Sequence, residues 1–109
     1  MRRNHKLLLD DILEAADRIQ KYTKSLTLTD FRKNKMTVDA TLRNLEVIGE
    51  AAKNLPDDVK KKHPEIEWKK ISGLRDILIH AYPNVDLETV WDIIENKIPE
   101  LKKQIKEIR

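Results

Sequence analysis

The chain has 109 residues, enough for one hydrophobic core and too few for two. Charged residues make up 38%, yet Leu, Ile, Val and Phe supply 31 positions, which excludes a disordered chain. Two glycines and four prolines are too few turn formers for an all-β fold, the lack of cysteine excludes disulfides and thiolate sites, and a net charge of +3 permits a nucleic-acid partner without requiring one.

The first helix is expected over residues 5–26. Leu8, Ile12, Ala15, Ile19, Tyr22 and Leu26 fall on one stripe at helical spacing, widened by Leu9, Leu13 and Ala16. Asp10, Asp17, Lys21 and Lys24 are left to face water. Its apolar run Leu7-Leu8-Leu9 is closed by Asp10 and Asp11, too short for a signal peptide or a membrane span, so a soluble cytoplasmic protein is expected. Thr27 to Asp30 reads as a turn in which Thr29 caps a short helical segment through Phe31.

A second long helix is predicted over 35–53 from Val38, Leu42, Leu45, Ile48 and Ala52. Gly49 inside it costs about 1 kcal/mol against alanine, which points to close helix packing at that position. Asn54 and Pro56 end it, and Asp57 to Lys62 forms a short helix stopped by His63-Pro64. A third long helix, over 67–82, carries Trp68, Ile71, Leu74, Leu78 and Ala81 on its apolar face and is broken by Pro83-Asn84. Asp86 is the N-cap of the last long element from Leu87. Its stripe of Val90, Trp91, Ile94, Ile98, Leu101 and Ile105 runs to the end, with Pro99 kinking that helix or starting a new one. The fold class is all-α: an antiparallel bundle of four long helices with short helical inserts, as one domain over 1–109.

Chemistry concentrates in Gly73-Leu74-Arg75-Asp76-Ile77-Leu78-Ile79-His80-Ala81-Tyr82, where four polar groups sit in an apolar helix. Asp76 and His80 lie about 40° apart around the axis, Arg75 and Tyr82 about 20°, but Arg75 and His80 about 140°. One straight helix does not aim the last pair at one point; a cleft between helices or between two copies does. The bland reading is an Asp76–His80 pair one turn apart and an Arg75 ion pair with Glu46 or Glu50 of another helix. The functional reading is metal-free RNA cleavage. His80 exchanges protons near neutral pH, Arg75 contacts the phosphate, Asp76 orients the imidazole, and Tyr82 donates to phosphate or stacks on a base.

The residues alone leave both readings open, and several sequence blocks together add a resemblance that favours the second. The sequence resembles the HEPN-domain family, specifically its HepT-like ribonuclease toxins, over nearly its whole length. The resemblance rests on Arg43-Asn44-Leu45-Glu46-Val47-Ile48-Gly49-Glu50-Ala51-Ala52-Lys53 and on Pro64-Glu65-Ile66-Glu67-Trp68. It continues through Ile71, Gly73-Leu74-Arg75-Asp76, His80-Ala81-Tyr82, Val85-Asp86 and Trp91. Arg75, His80 and Tyr82 fit the family's pattern of Arg, four residues, His, one residue, Tyr without a gap. Asp76 stands where many relatives have Asn, and Pro83 where they often carry an aromatic.

The resemblance implies a metal-independent endoribonuclease that works as a homodimer and needs no cofactor. Its catalytic residues would be Arg75 and His80, supported by Asp76 and Tyr82. It also implies a partner, a minimal nucleotidyltransferase antitoxin, which in some relatives attaches AMP to the tyrosine that corresponds to Tyr82. The alternative is a non-catalytic helical dimer that binds such a partner or a nucleotide.

Elsewhere the signals are weaker. Residues 59–75 carry six basic side chains against two acidic ones, a solvated face or a track for RNA phosphates. His5, His63 and His80 form no short ligand motif, so no metal site is expected.

Overall fold

The computed structural model describes residues 4–81 and 85–109, without the side chains of Ile77, Ile79, His80 and Ala81. Helix α1 spans His5–Thr23, α2 Leu28–Lys33, α3 Lys35–Asn54, α4 Asp57–Lys62 and α5 Trp68–Ala81. Helix α6, Leu87–Asp92, runs through a π-helical turn, Ile93–Lys97, directly into α7, Ile98–Ile108. The four long elements are therefore α1, α3, α5 and the continuous α6–α7 rod, with α2 and α4 as the short inserts.

Helix α3 is the central element and packs most extensively on α1 and on α5; α7 closes the bundle against α1. Directions follow from side-chain pairs. Lys102 reaches Asp17 and Gln20, whereas Arg109, further along the chain, reaches Asp10, nearer the start of α1, so the two helices are antiparallel. The core runs along the predicted stripes. Ile12, Ala15, Ala16, Ile19, Phe31, Ile48, Ala52 and Ile105 are fully buried, each large aliphatic contributing about 1.5–3 kcal/mol by leaving water. Leu9 is buried as well and Leu13 packs against the core at its edge, in keeping with the widened stripe of α1.

Three local expectations need correction. Helix α1 stops at Thr23, not near Leu26: Lys24 is already extended, with ψ 130°, and Ser25 takes the left-handed region at φ 67°. Tyr22 is consequently exposed, near the frayed end of the stripe. The cap of α2 is Thr27 rather than Thr29. Thr27 Oγ1 accepts from the Asp30 backbone N–H at 3.1 Å while Asp30 accepts from the Thr27 N–H at 3.1 Å, a reciprocal capping box. This capped turn sets the fully buried Phe31 against Trp91, ring centroids 5.2 Å apart, and Arg32 pairs with Glu88 at 2.9 Å alongside.

Pro99 starts a new α-helical segment without a break in the rod. It lies in the first turn of α7, and the rod continues through it although its missing N–H removes one bond to the preceding turn. The wider turn just before it carries an Ile98 N–H that donates to the Ile93 carbonyl, five residues back.

Trp68 opens α5. Its ring is buried and its indole Nε1 donates to the His63 carbonyl at 3.0 Å, tying the start of the helix to the end of α4. Asp86 caps α6 as expected, accepting from the Glu88 N–H at 3.0 Å and from the Thr89 hydroxyl at 2.8 Å.

Those contacts predict an acid response. Bonds from the Thr89 hydroxyl and the Glu88 N–H hold the Asp86 carboxyl below its ordinary 3.8, those from Thr27 do so for Asp30, and the Arg109 guanidinium does so for Asp10. A carboxyl depressed in the folded state adds stability above its unfolded value and loses it as pH falls through the folded one. The melting temperature should therefore hold between pH 8 and 5 as far as these groups decide it, and drop below about pH 4. Asp86→Asn keeps a good cap and should show a shallower drop; thermal melts across pH check both.

Candidate active site

The site is built where α3 and α5 cross. At Gly49 the two backbones come so close that a Cβ on Gly49 would stand 2.8 Å from the Arg75 backbone nitrogen, 3.0 Å from its Cβ and 3.2 Å from the Ile71 carbonyl oxygen. Only a residue with no side chain fits, which is the close packing the sequence pointed to. This contact fixes the backbone of Arg75. Its side chain is held by the next residue of α3, with Arg75 Nε in an ion pair with Glu50 Oε2. Arg75 Nη1 also lies 3.5 Å from Asp76 Oδ1. Of the two carboxylates expected to reach Arg75, then, it is Glu50; Glu46 instead pairs with Arg43 at 3.3 Å.

Arg75 faces a polar cleft of about 540 Å³. Leu8 and Asp11 line it from α1, Arg43, Glu46, Glu50 and Asn54 from α3. Asn54 Nδ2 approaches the other carboxylate oxygen, Glu50 Oε1, at 3.5 Å, the limit of a hydrogen bond. Arg75 is half-buried and Asp76 is exposed. His80 belongs to the last turn of α5, but its side chain lies outside the described residues, as does the whole of Tyr82, so the structure leaves their relation to Arg75 open.

Sequence reasoning missed Arg43, Asp11 and Asn54 as cleft residues. Arg43, Glu46, Glu50 and Asn54 follow one another at 3, 4 and 4 residues, a polar line along one side of the helix, and that spacing was the available signal. Asp11 had no such signal, because only the packing of α1 on α3 brings it there. A second groove of about 370 Å³ opens between α5 and α7 over Ile71, Gly73, Leu74 and Ile93. It carries no arginine, and Glu67 at its rim is paired with Lys70 at 2.8 Å. In the basic stretch, Lys60 donates to the Lys53 carbonyl at 3.4 Å, while Lys61, Lys62 and Lys69 are exposed.

The comparisons with known proteins bear on this geometry. The family model described as ribonuclease HepT-like matches residues 12–108. The chain belongs to that family. As a HepT-like protein it is an endoribonuclease. It is 44% identical over 109 residues to "Probable ribonuclease HepT" of Thermococcus cleftensis, across all of this chain and 99% of that one. It is 47% identical over 103 residues to a "Putative RNase" of Methanocaldococcus jannaschii, across 94% of this chain and 85% of that protein. A longer protein of the same organism, named "Gamma-glutamylcyclotransferase and putative RNase", is 44% identical over 108 residues, which are 49% of its length. No solved structure matches the chain. In this HepT-like chain the matched span contains both α3 and α5, so the Gly49–Arg75 crossing lies inside it.

The two glycines should respond to alanine with opposite signs. Gly49→Ala forces α3 and α5 apart and should destabilise by about 1–3 kcal/mol. At Gly73 an added methyl would meet nothing within 4 Å, so alanine should gain up to about 1 kcal/mol there from helix propensity. Denaturant unfolding of the two variants beside the parent checks the pair.

Proposed function

We propose that this HepT-like endoribonuclease is the toxin of a toxin–antitoxin pair and cleaves RNA without a metal ion, using Arg75 and His80. The observation that carries the reading is Arg75: a half-buried guanidinium, anchored through backbone and Nε, on the wall of an open polar cleft. An arginine held in this way is suited to a phosphate, whose oxygens accept from two parallel N–H groups.

In the proposed reaction the RNA 2′-hydroxyl loses its proton as its oxygen attacks the adjacent phosphorus. The bond from phosphorus to the 5′-oxygen breaks, and that oxygen takes up a proton. The products are a 2′,3′-cyclic phosphate and a 5′-hydroxyl. Arg75 stabilises the charge gathering on the phosphoryl oxygens. His80 exchanges the proton, with Asp76 setting its tautomer and Tyr82 supporting the RNA. The angle of about 140° between Arg75 and His80 around one helix is the reason to place the working site between two copies of the chain, each supplying part of it.

Removal of the proton-exchanging group should cost about 100-fold or more, and removal of the phosphate contact about 100- to 1,000-fold. His80→Ala and Arg75→Ala are therefore expected to lose RNA cleavage at that level, and growth inhibition with it, while keeping the parent melting curve. Cleavage of tRNA and mRNA by the parent should persist in EDTA. Parent-rate cleavage by His80→Ala sinks the assignment, and a parent that cuts nothing leaves a binding module.

The proposed regulation runs through Tyr82. A nucleotidyltransferase antitoxin would join the tyrosine oxygen to the α-phosphorus of ATP with release of pyrophosphate, adding charge and bulk to that residue. Mass measurements separate the parts of this reading. Light scattering should give the mass of two chains, and intact mass after incubation with the cognate antitoxin, ATP and Mg²⁺ should rise by one AMP, lost in Tyr82→Phe. Inhibition without added mass would sink the modification and leave the ribonuclease.

A further inference from the structure

Resting on the reading of Arg75 as the phosphate contact, we propose that Glu50 is a positioning residue that aims the Arg75 guanidinium at the RNA phosphate. A guanidinium offers five N–H groups in a fixed fork. Glu50 pairs with the guanidinium at Nε, and among the described residues only Asp76 accepts a hydrogen bond from its terminal Nη end. Asp76 Oδ1 approaches Nη1 only at 3.5 Å, the limit of a hydrogen bond. A phosphate thus meets the Nη end without displacing the Glu50 carboxylate.

Glu50 is suited to that task by its own support. Its backbone follows directly on Gly49, the point where α3 touches Arg75, and its Oε1 lies 3.5 Å from Asn54 Nδ2 one turn further along α3, likewise at the limit of a hydrogen bond. The arginine is therefore fixed at both ends by two consecutive residues of one helix. Glu46 is turned away from the role by its pairing with Arg43.

Burial separates this role from a structural one. The Glu50 side chain is 51% exposed, and exposed ion pairs contribute little to folding. Loss of Glu50 should then show in turnover and not in stability. An arginine with a long side chain and many rotamers, once untethered, must be ordered by the substrate in each cycle, and small misplacements cost about 100-fold in rate.

The test compares Glu50→Ala, Glu50→Gln, Arg75→Ala and the double variant Glu50→Ala/Arg75→Ala on the full chain, with RNA in EDTA across pH. Glu50→Ala should lower kcat by about 10- to 100-fold with KM within about threefold and an unchanged melting temperature. Glu50→Gln should recover most of the loss, because its amide oxygen offers the guanidinium an acceptor at the same place. The pH profile should keep its shape in both, and the double variant should be no worse than Arg75→Ala, since Glu50 acts through it. Parent kcat in Glu50→Ala overturns the inference. So does a Glu50→Gln enzyme as inactive as Glu50→Ala that has lost the acidic limb of the profile, which would make Glu50 a proton acceptor. Arg75→Ala at the parent rate instead removes the phosphate role of Arg75 itself, whatever the Glu50 variants do.

Discussion

The absence of a side chain at Gly49 is the constraint on which the site depends. Two helices normally sit about 8–10 Å apart because side chains space them. Here the spacer is missing, and the backbone of Arg75 takes its place. The glycine weakens α3 locally, and the apolar face from Val38 to Ala52 offsets that many times over through burial. What the crossing sets is a position: the root of one arginine is registered against the central helix of the bundle.

Electrostatics then acts on a side chain whose root is already fixed. The cleft holds Arg43 and Arg75 among Asp11, Glu46 and Glu50, and each of the two arginines is met by a carboxylate of α3. A lysine in place of Arg75 could pair with Glu50 only by giving up its single charged head. The planar fork of arginine divides its donors between a protein partner and a ligand, which is why the residue type matters as much as the charge. The rest of the bundle serves to hold α3: α1 from one side, α5 from the other, and α7 behind α1 through the Lys102–Asp17 and Arg109–Asp10 pairs.

Much of the fold was legible because its helices bury clean stripes. The bounds of α3 and α4, the Asp86 cap and the burial of Leu9 and Ala16 all follow from apolar period and capping chemistry. The misreadings share a cause, which is that competing local signals were nearly equal. Leu26 continues the stripe of α1, and no glycine or proline announces the stop, yet the chain leaves at Lys24 and Ser25. Thr27 and Thr29 are both acceptable caps, and Asp30 three residues after Thr27 decides between them. The wide turn before Pro99 also had a trace: Val90, Ile94 and Ile98 are spaced 4 and 4, where α1 alternates 4 and 3. Of the site, Arg75 and its two candidate partners were legible and Gly49 was marked as a contact, but the identity of the contact was not. Asp11 and Leu8 reach the cleft through tertiary packing, which no spacing within one helix encodes.

The touching backbones at Gly49 also bear on how a ligand would be received. Touching main chain has no rotamers to rearrange, so the crossing that seats Arg75 beside the cleft is ordered during folding and stays so. Occupancy of such a cleft by a polyanion demands little new order from the protein. Its thermodynamic signature would be carried by displaced counterions and water, with a small heat-capacity change, and not by a chain settling into shape.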